Sequence, residues 1–345
     1  MKNRCAEGAL ACVGAVIGAG FASGREIISF FTRYGIHAWW LILVSAVAMM
    51  LLCVLVLRRA AASGATRWCG LYSCSAPRAR AGAWLCATLL MAVTGGAMIS
   101  ASGHMVALLW ASDWAYPVGA VGSMVLAWLM GRGSIRPLSV VSGALTVLFA
   151  LVMLAVLSQD ARPQAVSLLP APGAGQLAWA GVRAVAYAAM NVTLAIGVVC
   201  KCARGTSRAL CRLSATFGLV LVGLLFVSNY LYLKHPELFN EAFPIVRLMQ
   251  LFGREGFVIS VALLYLAVFT TLTAILYALR GAVEERVKSP RYMRLIALGL
   301  PLSISLVGFS GIVDGLYAPA GLLCLALVFW PLMRRNPLDK RKAIR

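Results

Sequence analysis

Hydrophobic residues along this chain form long uninterrupted runs, and polar residues are mostly confined to the short stretches between them. Ten of the runs reach roughly the 20 residues that an α-helix needs to cross the hydrocarbon core of a bilayer. The pattern therefore predicts an all-α integral membrane protein with about ten transmembrane helices, called spans 1 to 10 below. Their expected limits are 8–32, 38–57, 83–110, 116–131, 137–157, 179–201, 209–233, 255–279, 292–310 and 312–333.

The polar stretches between the runs divide the spans into two halves. The stretch 158–178, which is rich in proline and glycine, separates five spans from five. An odd number of spans inverts the second half relative to the first, as in transporters built from inverted repeats. We therefore expect one polytopic domain over 1–345, with repeats near 8–157 and 179–333 and a basic tail at 334–345.

Composition and charge support this class. Hydrophobic residues make up 61% of the chain and charged residues 12%, about half the charged fraction of a soluble domain. The net charge of +20 would fit a nucleic-acid-binding protein, but most Lys and Arg residues lie in the tail and in alternate loops on one side of a ten-span bundle. That side is expected to be cytoplasmic, with both termini inside the cell membrane and anionic lipid, not nucleic acid, as the partner. The stretch 234–254, on the other side, predicts a re-entrant segment or a helical cap.

Span 1 is interrupted at mid-depth by the stretch 14–27, which reads GAVIGAGFASGREI. Glycine weakens a helix and permits backbone conformations that other residues avoid. Non-helical backbone at membrane depth is tolerated only where protein buries it or where it lines a watery cavity. A discontinuous span 1 is therefore predicted, of the kind that forms binding sites in secondary transporters.

The interruption predicts a solute-binding segment. Free backbone N–H groups at the start of the outer half of span 1 suit an anionic group such as a carboxylate. The residues concerned are Gly18, Ala19, Gly20, Phe21, Ala22, Ser23 and Gly24. The alternative is close helix packing, because these glycines belong to pairs spaced four residues apart.

Span 6 is the counterpart of span 1 if the halves repeat, and it carries a polar pair near its centre. Tyr187 and Asn191 are four residues apart and so share a helix face. A central Asn is costly in lipid and is expected to face the bundle interior. We expect span 6 to be discontinuous like span 1, with unwound carbonyls near Asn191 that hold an ammonium group. An interhelical hydrogen bond of Asn191 is the alternative.

The sequence VIGAGFASG at 16–24, followed by Glu26 and Ile27, resembles the first span of the YkvI-like membrane proteins. Thr270 and Thr271 in span 8 fit this resemblance, which covers most of the chain. The family is related to the amino acid–polyamine–organocation superfamily of permeases. The resemblance therefore implies the LeuT-type fold, with a 5+5 inverted repeat and helices 1 and 6 discontinuous, and the activity of a permease.

The resemblance also implies a sodium site between spans 1 and 8. In LeuT-type sodium symporters, two span-1 carbonyls and a span-8 pattern of one small residue and two hydroxyl residues hold a sodium ion. The matching residues are Gly14, Ile17, Ala267, Thr270 and Thr271. All of them offer the oxygen ligands that a hard cation prefers. The alternative is that both threonines only bond back to carbonyls of their own helix.

Three charged residues complete the candidates. LeuT-type transporters carry a charge pair between spans 1 and 10, and the resemblance implies that Arg25 and Asp314 form this pair as an extracellular gate. Glu26 is the candidate for proton coupling, because ionisable residues inside a membrane are expensive and mark ion or proton pathways. Hydrogen bonding to neighbouring spans is the alternative role for Glu26.

These features favour a secondary active transporter for an amino-acid-like or other small solute, coupled to sodium or protons and working by alternating access. The chain carries no nucleotide-binding loop and no signature of a zinc protease or serine hydrolase. We therefore expect no enzyme activity and no cofactor beyond the coupling ion. A sensor or assembly protein on a transporter scaffold is an alternative, as is a passive facilitator or channel, since a fold does not fix a function.

Overall fold

The computed structural model describes residues 19–65, 68–72, 75–110, 112–131, 136–159, 172–203 and 206–334, and most of them are helical. Seven helical segments are long and apolar enough to cross a membrane: Thr32–Ser63, Pro77–Leu109, Val141–Gln159, Ala174–Cys202, Ser207–Leu233, Pro244–Glu284 and Phe309–Arg334. The helix Ala115–Met130 is apolar but shorter. This helix and the helical segments 19–30 and 290–305, added to the seven long segments, make the described structure compatible with ten spans.

The helix limits follow the predicted spans but extend several of them. Span 2 is Ala38–Ser63, entered through the 3-10 turn Thr32–His37. Span 3 begins at Pro77, where the missing N–H of proline is harmless because the first turn of a helix leaves that group unpaired. Spans 3 to 8 are Pro77–Leu109, Ala115–Met130, Arg136–Gln159, Ala174–Cys202, Ser207–Leu233 and Gly253–Glu284.

Span 1 is discontinuous, as the sequence predicts. The part of span 1 that the structure describes consists of the short helices Ala19–Ser23 and Arg25–Phe30, divided at Gly24. The first of them contacts span 8 and the surface helix Pro244–Met249, and the second contacts spans 6, 7 and 10. The broken span therefore lies at the centre of the bundle. The sodium candidates Gly14 and Ile17, together with Gly18, lie outside the described residues.

Span 6 is one continuous helix, Ala174–Cys202, so the prediction that it is discontinuous is wrong. Its central residues, 182–196, include five alanines and neither glycine nor proline. Alanine is the strongest helix former, and the local sequence therefore favours the unbroken helix. The repeat symmetry suggested a break that this sequence does not encode.

Spans 9 and 10 separate three residues earlier than predicted. The boundary lies at Gly308, whose φ of 84° is in the left-handed region, and not at Gly311. Span 10 then begins at Phe309 and contains a π-helical turn over Ile312–Leu316. Such turns inside α-helices are frequent at functional sites, and this one carries Asp314.

The side chains are distributed as a membrane protein requires. Large apolar residues such as Leu51, Val125 and Leu219 are exposed on the outside of the bundle, where they contact lipid. Charged and amide side chains such as Glu26 and Asn191 are buried inside. The predicted cap between spans 7 and 8 is present as the 3-10 turn Pro236–Asn240 and the helix Pro244–Met249.

Candidate functional site

Between the two described helices of span 1, the break lies at Gly24. Its φ is 84°, a conformation that L side chains rarely adopt. A Cβ atom at this position would also lie 2.1 Å from the hydroxyl oxygen of Tyr232, in span 7. Both the backbone conformation and the close approach of span 7 therefore require glycine here.

The unwound stretch is shorter than predicted, because Ala19–Ser23 form a helical turn. The Ser23 hydroxyl donates to the carbonyl of Gly20 at 2.7 Å and accepts from the N–H of Arg25 at 3.1 Å. Ser23 thereby caps the outer half of span 1 with its own side chain. A role of the N–H groups of 19–23 in solute binding stays a prediction.

Glu26 turns its carboxyl back toward the inner half of span 1. The side chain is 6% exposed. A Cβ atom at Gly20 would lie 1.6 Å from its Oε1 atom, so the carboxyl occupies the space that any larger residue at position 20 would need. The hydroxyl of Tyr187 in span 6 faces this carboxyl, and Tyr317 of span 10 lies within its electrostatic range. Glu26 is thus at the meeting point of spans 1, 6 and 10.

Arg25 points the other way and joins three elements. Its guanidinium forms a salt bridge with Asp314 of span 10 and donates to the carbonyls of Phe239 and Glu241 at 2.8 and 2.9 Å. Arg33 approaches the second carboxylate oxygen of Asp314 at 3.8 Å. The structure therefore brings the predicted partners together and adds the cap between spans 7 and 8 to them, although the gate role stays a prediction.

The polar pair of span 6 is bonded within its own helix. The Asn191 side-chain amide donates to the carbonyl of Tyr187 at 2.9 Å. Because the helix is continuous here, the unwound carbonyls expected near Asn191 are not found among the described residues. Tyr187 packs its ring against Phe30 and Phe31, with centroid distances of 5.0 and 5.2 Å. Span 6 therefore contributes an aromatic wall beside the broken span.

Arg183 fixes span 6 to the outer half of span 1. Its Nη2 atom donates to the hydroxyl of Ser29 at 3.2 Å and to the carbonyl of the same residue at 3.3 Å. Its guanidinium also lies over the ring of Phe30, 5.1 Å from the centroid. Sequence reasoning did not select this arginine, although a positive charge inside a predicted span is the signal that could have found it.

Three further buried polar residues near the break were also missed. Asn229 and Tyr232 of span 7 and Tyr317 of span 10 are at most 1% exposed. The Asn229 amide and both phenol hydroxyls have no hydrogen-bond partner among the described residues. Buried polar groups are normally paired, so these groups mark a region suited to a ligand or water. An Asn within a predicted span is a detectable signal, but an aromatic residue there is not.

The span-8 threonines bond back to a carbonyl of their own helix, which is the alternative to a role as sodium ligands. The hydroxyls of Thr270 and Thr271 both donate to the carbonyl of Ala267, at 3.1 and 2.7 Å. Ala267 and Ala22 of span 1 line one small cleft, whose other lining residues are apolar apart from Ser260. The described part of span 1 therefore contacts span 8 beside Ala267, whereas Gly14 and Ile17 lie outside the described residues. The sodium site itself stays a prediction.

No group of three or more His, Cys, Asp or Glu side chains able to hold a metal ion occurs among the described residues.

Comparison with known proteins places the chain in a structural class. No protein-family profile matches it. It is 24% identical over 344 residues to the uncharacterized membrane protein YkvI of Bacillus subtilis, covering 97% of both chains. This match confirms the resemblance to YkvI-like membrane proteins.

Two solved structures share the fold. The manganese transporter of Eremococcus coleocola, in complex with an aromatic bis-isothiourea substituted compound, aligns with a TM-score of 0.62 at 16% identity. That alignment covers 96% of this chain and 78% of the transporter. The inward-facing conformation of Mhp1 aligns with a TM-score of 0.64 at 13% identity, covering 95% and 75%. At such identities the likeness establishes the fold alone, which is the LeuT-type fold predicted.

Proposed function

We propose that this chain, which resembles YkvI of Bacillus subtilis and has the LeuT-type fold, is a secondary active transporter for a small solute. The observation that carries this proposal is the break of span 1 at Gly24, in the centre of the bundle, beside the buried carboxyl of Glu26. A helix broken at membrane depth among unpaired polar groups is expensive in a purely structural protein. It is the usual construction of a solute site in alternating-access transporters.

The coupling ion is sodium or a proton in this proposal. Sodium would lie between the carbonyls of Gly14 and Ile17 and the span-8 group of Ala267, Thr270 and Thr271. The contact of spans 1 and 8 along one cleft supports that location. A proton would instead be carried by Glu26, whose burial at membrane depth supports the alternative.

Arg25 and Asp314 form the outer gate in this scheme. Arg25 bonds span 1 to span 10 and to the cap at the same time. Opening the site from that side requires these bonds to break together, which would make access depend on a single residue.

Uptake into proteoliposomes tests the proposal. Ligands are first found by thermal shift in sodium, in potassium and across pH, since a solute at 100 times its Kd stabilises the folded state by about 2.7 kcal/mol. Each hit is then offered as a radiolabelled solute under an imposed sodium or proton gradient. Accumulation above equilibrium supports a coupled transporter. Equilibration that no gradient drives further would indicate a facilitator, and binding with no flux would indicate a sensor.

A further inference from the structure

We infer that Glu26 is the subsite for a positively charged ammonium group of the solute. The inference deepens the proposed transporter function and rests on it. It assigns the solute to the amines and amino compounds, and it places the charge-recognising group in span 1, not at span-6 carbonyls.

The first argument is the lack of a positive partner for this carboxyl. Glu26 is buried, yet no ion pair to it occurs among the described residues. The two nearest arginines in the site are bonded elsewhere, because Arg25 binds Asp314 and Arg183 binds Ser29. Removing an unpaired carboxylate from water costs several kcal/mol, which a bound cation can offset.

The second argument is the nature of the surrounding groups. Tyr187 and Tyr317, from spans 6 and 10, are both about 1% exposed, and the hydroxyl of Tyr187 faces the carboxyl. Span 10 contacts the outer half of span 1, which carries Glu26. The hydroxyl of Tyr317 has no partner among the described residues, and it can accept a hydrogen bond from an ammonium N–H. A carboxylate and a phenol hydroxyl together suit an ammonium group.

The third argument separates an organic cation from a divalent metal. Calcium takes six to eight oxygen ligands, and magnesium also relies on carboxylates and retained waters. The described residues near Glu26 offer one carboxyl, and they contain no cluster of three or more acidic, His or Cys side chains able to hold a metal. A single carboxylate matches the single charge of an ammonium group.

Matched probes that differ only in charge test the assignment. Leucine carries both charges, isoamylamine carries only the ammonium group, and N-acetylleucine carries only the carboxylate. Phenylalanine, phenethylamine and N-acetylphenylalanine form a second set, and lysine and cadaverine cover longer chains. Binding is measured by thermal shift on the full chain in nanodiscs, at fixed pH and sodium concentration. Amines are expected to bind, and N-acetylated acids are not.

Variants then locate the subsite. Glu26→Gln keeps the size of the side chain and should weaken amine binding by about 100-fold or more, the loss expected for a buried ionic contact. Glu26→Asp keeps the charge and should retain part of the affinity, which distinguishes a lost charge from a misfolded protein. Tyr317→Phe should weaken binding several-fold. Glu255→Gln, at the exposed start of span 8, is the matched control and should change nothing.

Several outcomes overturn the assignment. They are no shift with any amine at millimolar concentration, binding of N-acetylated acids in place of amines, and amine affinity unchanged in Glu26→Gln. The last result, if it came with a lost pH dependence, would make Glu26 a proton carrier only. Coupled uptake of a solute without an amino group would overturn the ammonium subsite but leave the transporter standing. Amine binding without uptake of any solute would overturn the transporter but leave the subsite standing.

Discussion

Two glycines in span 1 are important because they have no side chain. Gly20 has no side chain, and the carboxyl of Glu26 lies where one would be. Gly24 combines a φ of 84° with the close approach of Tyr232. The two glycines therefore have different roles, since Gly20 makes room for a functional group and Gly24 permits the break itself.

Gly20→Ala is expected to impair solute binding more than stability. Its Cβ would lie 1.6 Å from Glu26 Oε1, but that atom is the end of a flexible side chain and can swing away. We expect a loss of about 1–2 kcal/mol in the free energy of unfolding, together with a solute affinity at least about tenfold weaker. Thermal unfolding and ligand titration of the same sample measure the two effects.

Gly223→Ala is the matched control. This glycine lies on the exposed side of span 7, with no atom within 4 Å of a Cβ placed on it. Alanine there should leave binding unchanged and stabilise the helix by about 0.5–1 kcal/mol. Equal binding in the two variants would mean that the position of the Glu26 carboxyl does not matter for the solute.

At the scale of elements, Arg25 joins the outer half of span 1 to span 10 and to the cap between spans 7 and 8. Three acceptors, two from the cap and one from span 10, converge on one guanidinium. Asp314 has in addition the weaker approach of Arg33. Arg25 therefore contributes more bonds to this junction than Asp314 does.

The variants of this junction should rank in stability accordingly. Arg25→Ala leaves two carbonyls and a partly buried carboxylate without their donor and should lower the free energy of unfolding by about 3 kcal/mol. Asp314→Asn should have a smaller effect, because Arg25 keeps both carbonyls. Arg33→Ala removes a half-exposed charge 3.8 Å away and should cost at most about 1 kcal/mol.

Thermal unfolding of the three single variants and of the Arg25→Ala/Asp314→Asn double variant measures this ranking. The double variant should be only slightly less stable than Arg25→Ala, since the bond between the two side chains is already lost. Additive effects would show that the two residues do not interact in the membrane-embedded protein.

The contact between spans 1 and 8 supports a test of sodium coupling. Thr271→Ala should weaken the sodium dependence of solute binding, because it removes one proposed ligand of the ion. Thr273 makes the same kind of bond, to the carbonyl of Phe269 at 2.8 Å, but it points to another side of the helix. Thr273→Ala should therefore leave the sodium dependence intact. An equal change of sodium dependence in the two variants would contradict a sodium site at Thr271.

At the scale of the whole molecule, the basic loops predict the orientation in the membrane. With ten spans, the Arg-rich loops and the tail fall on one side, and the cap at 234–254 falls on the other. Positive loops are retained in the cytoplasm. The cap that Arg25 engages is then extracellular, which is the side an outer gate requires.

Reporter fusions measure this orientation. A fluorescent protein fused after Arg345 should be bright and an alkaline phosphatase fused there inactive, since the phosphatase needs the oxidising outer compartment for its disulfides. The phosphatase inserted in the 158–178 loop should be active. The opposite pattern would show that the protein has the opposite orientation in the membrane, with Arg25 near the cytoplasmic side.

How far the sequence predicted the structure differs between neighbouring elements. The break in span 1 was predictable, because glycines act locally on backbone conformation. The continuity of span 6 also follows from local sequence, because its alanines favour an unbroken helix. The prediction of a break came from the supposed symmetry with span 1. The boundary of spans 9 and 10 was misplaced by a few residues, because hydropathy does not show which of two nearby glycines adopts a left-handed conformation.

The sequence by itself determined the class of protein, the number of hydrophobic runs and the candidate residues of span 1, because these depend on composition and local backbone preference. The pair of Arg25 and Asp314, which are 289 residues apart, was expected only from the family resemblance. Only the tertiary structure showed that Arg25 also bonds to the cap and that Glu26 turns toward Gly20 and Tyr187. Such contacts depend on how the spans pack and rotate against one another, and no local pattern in a uniformly apolar helix encodes that.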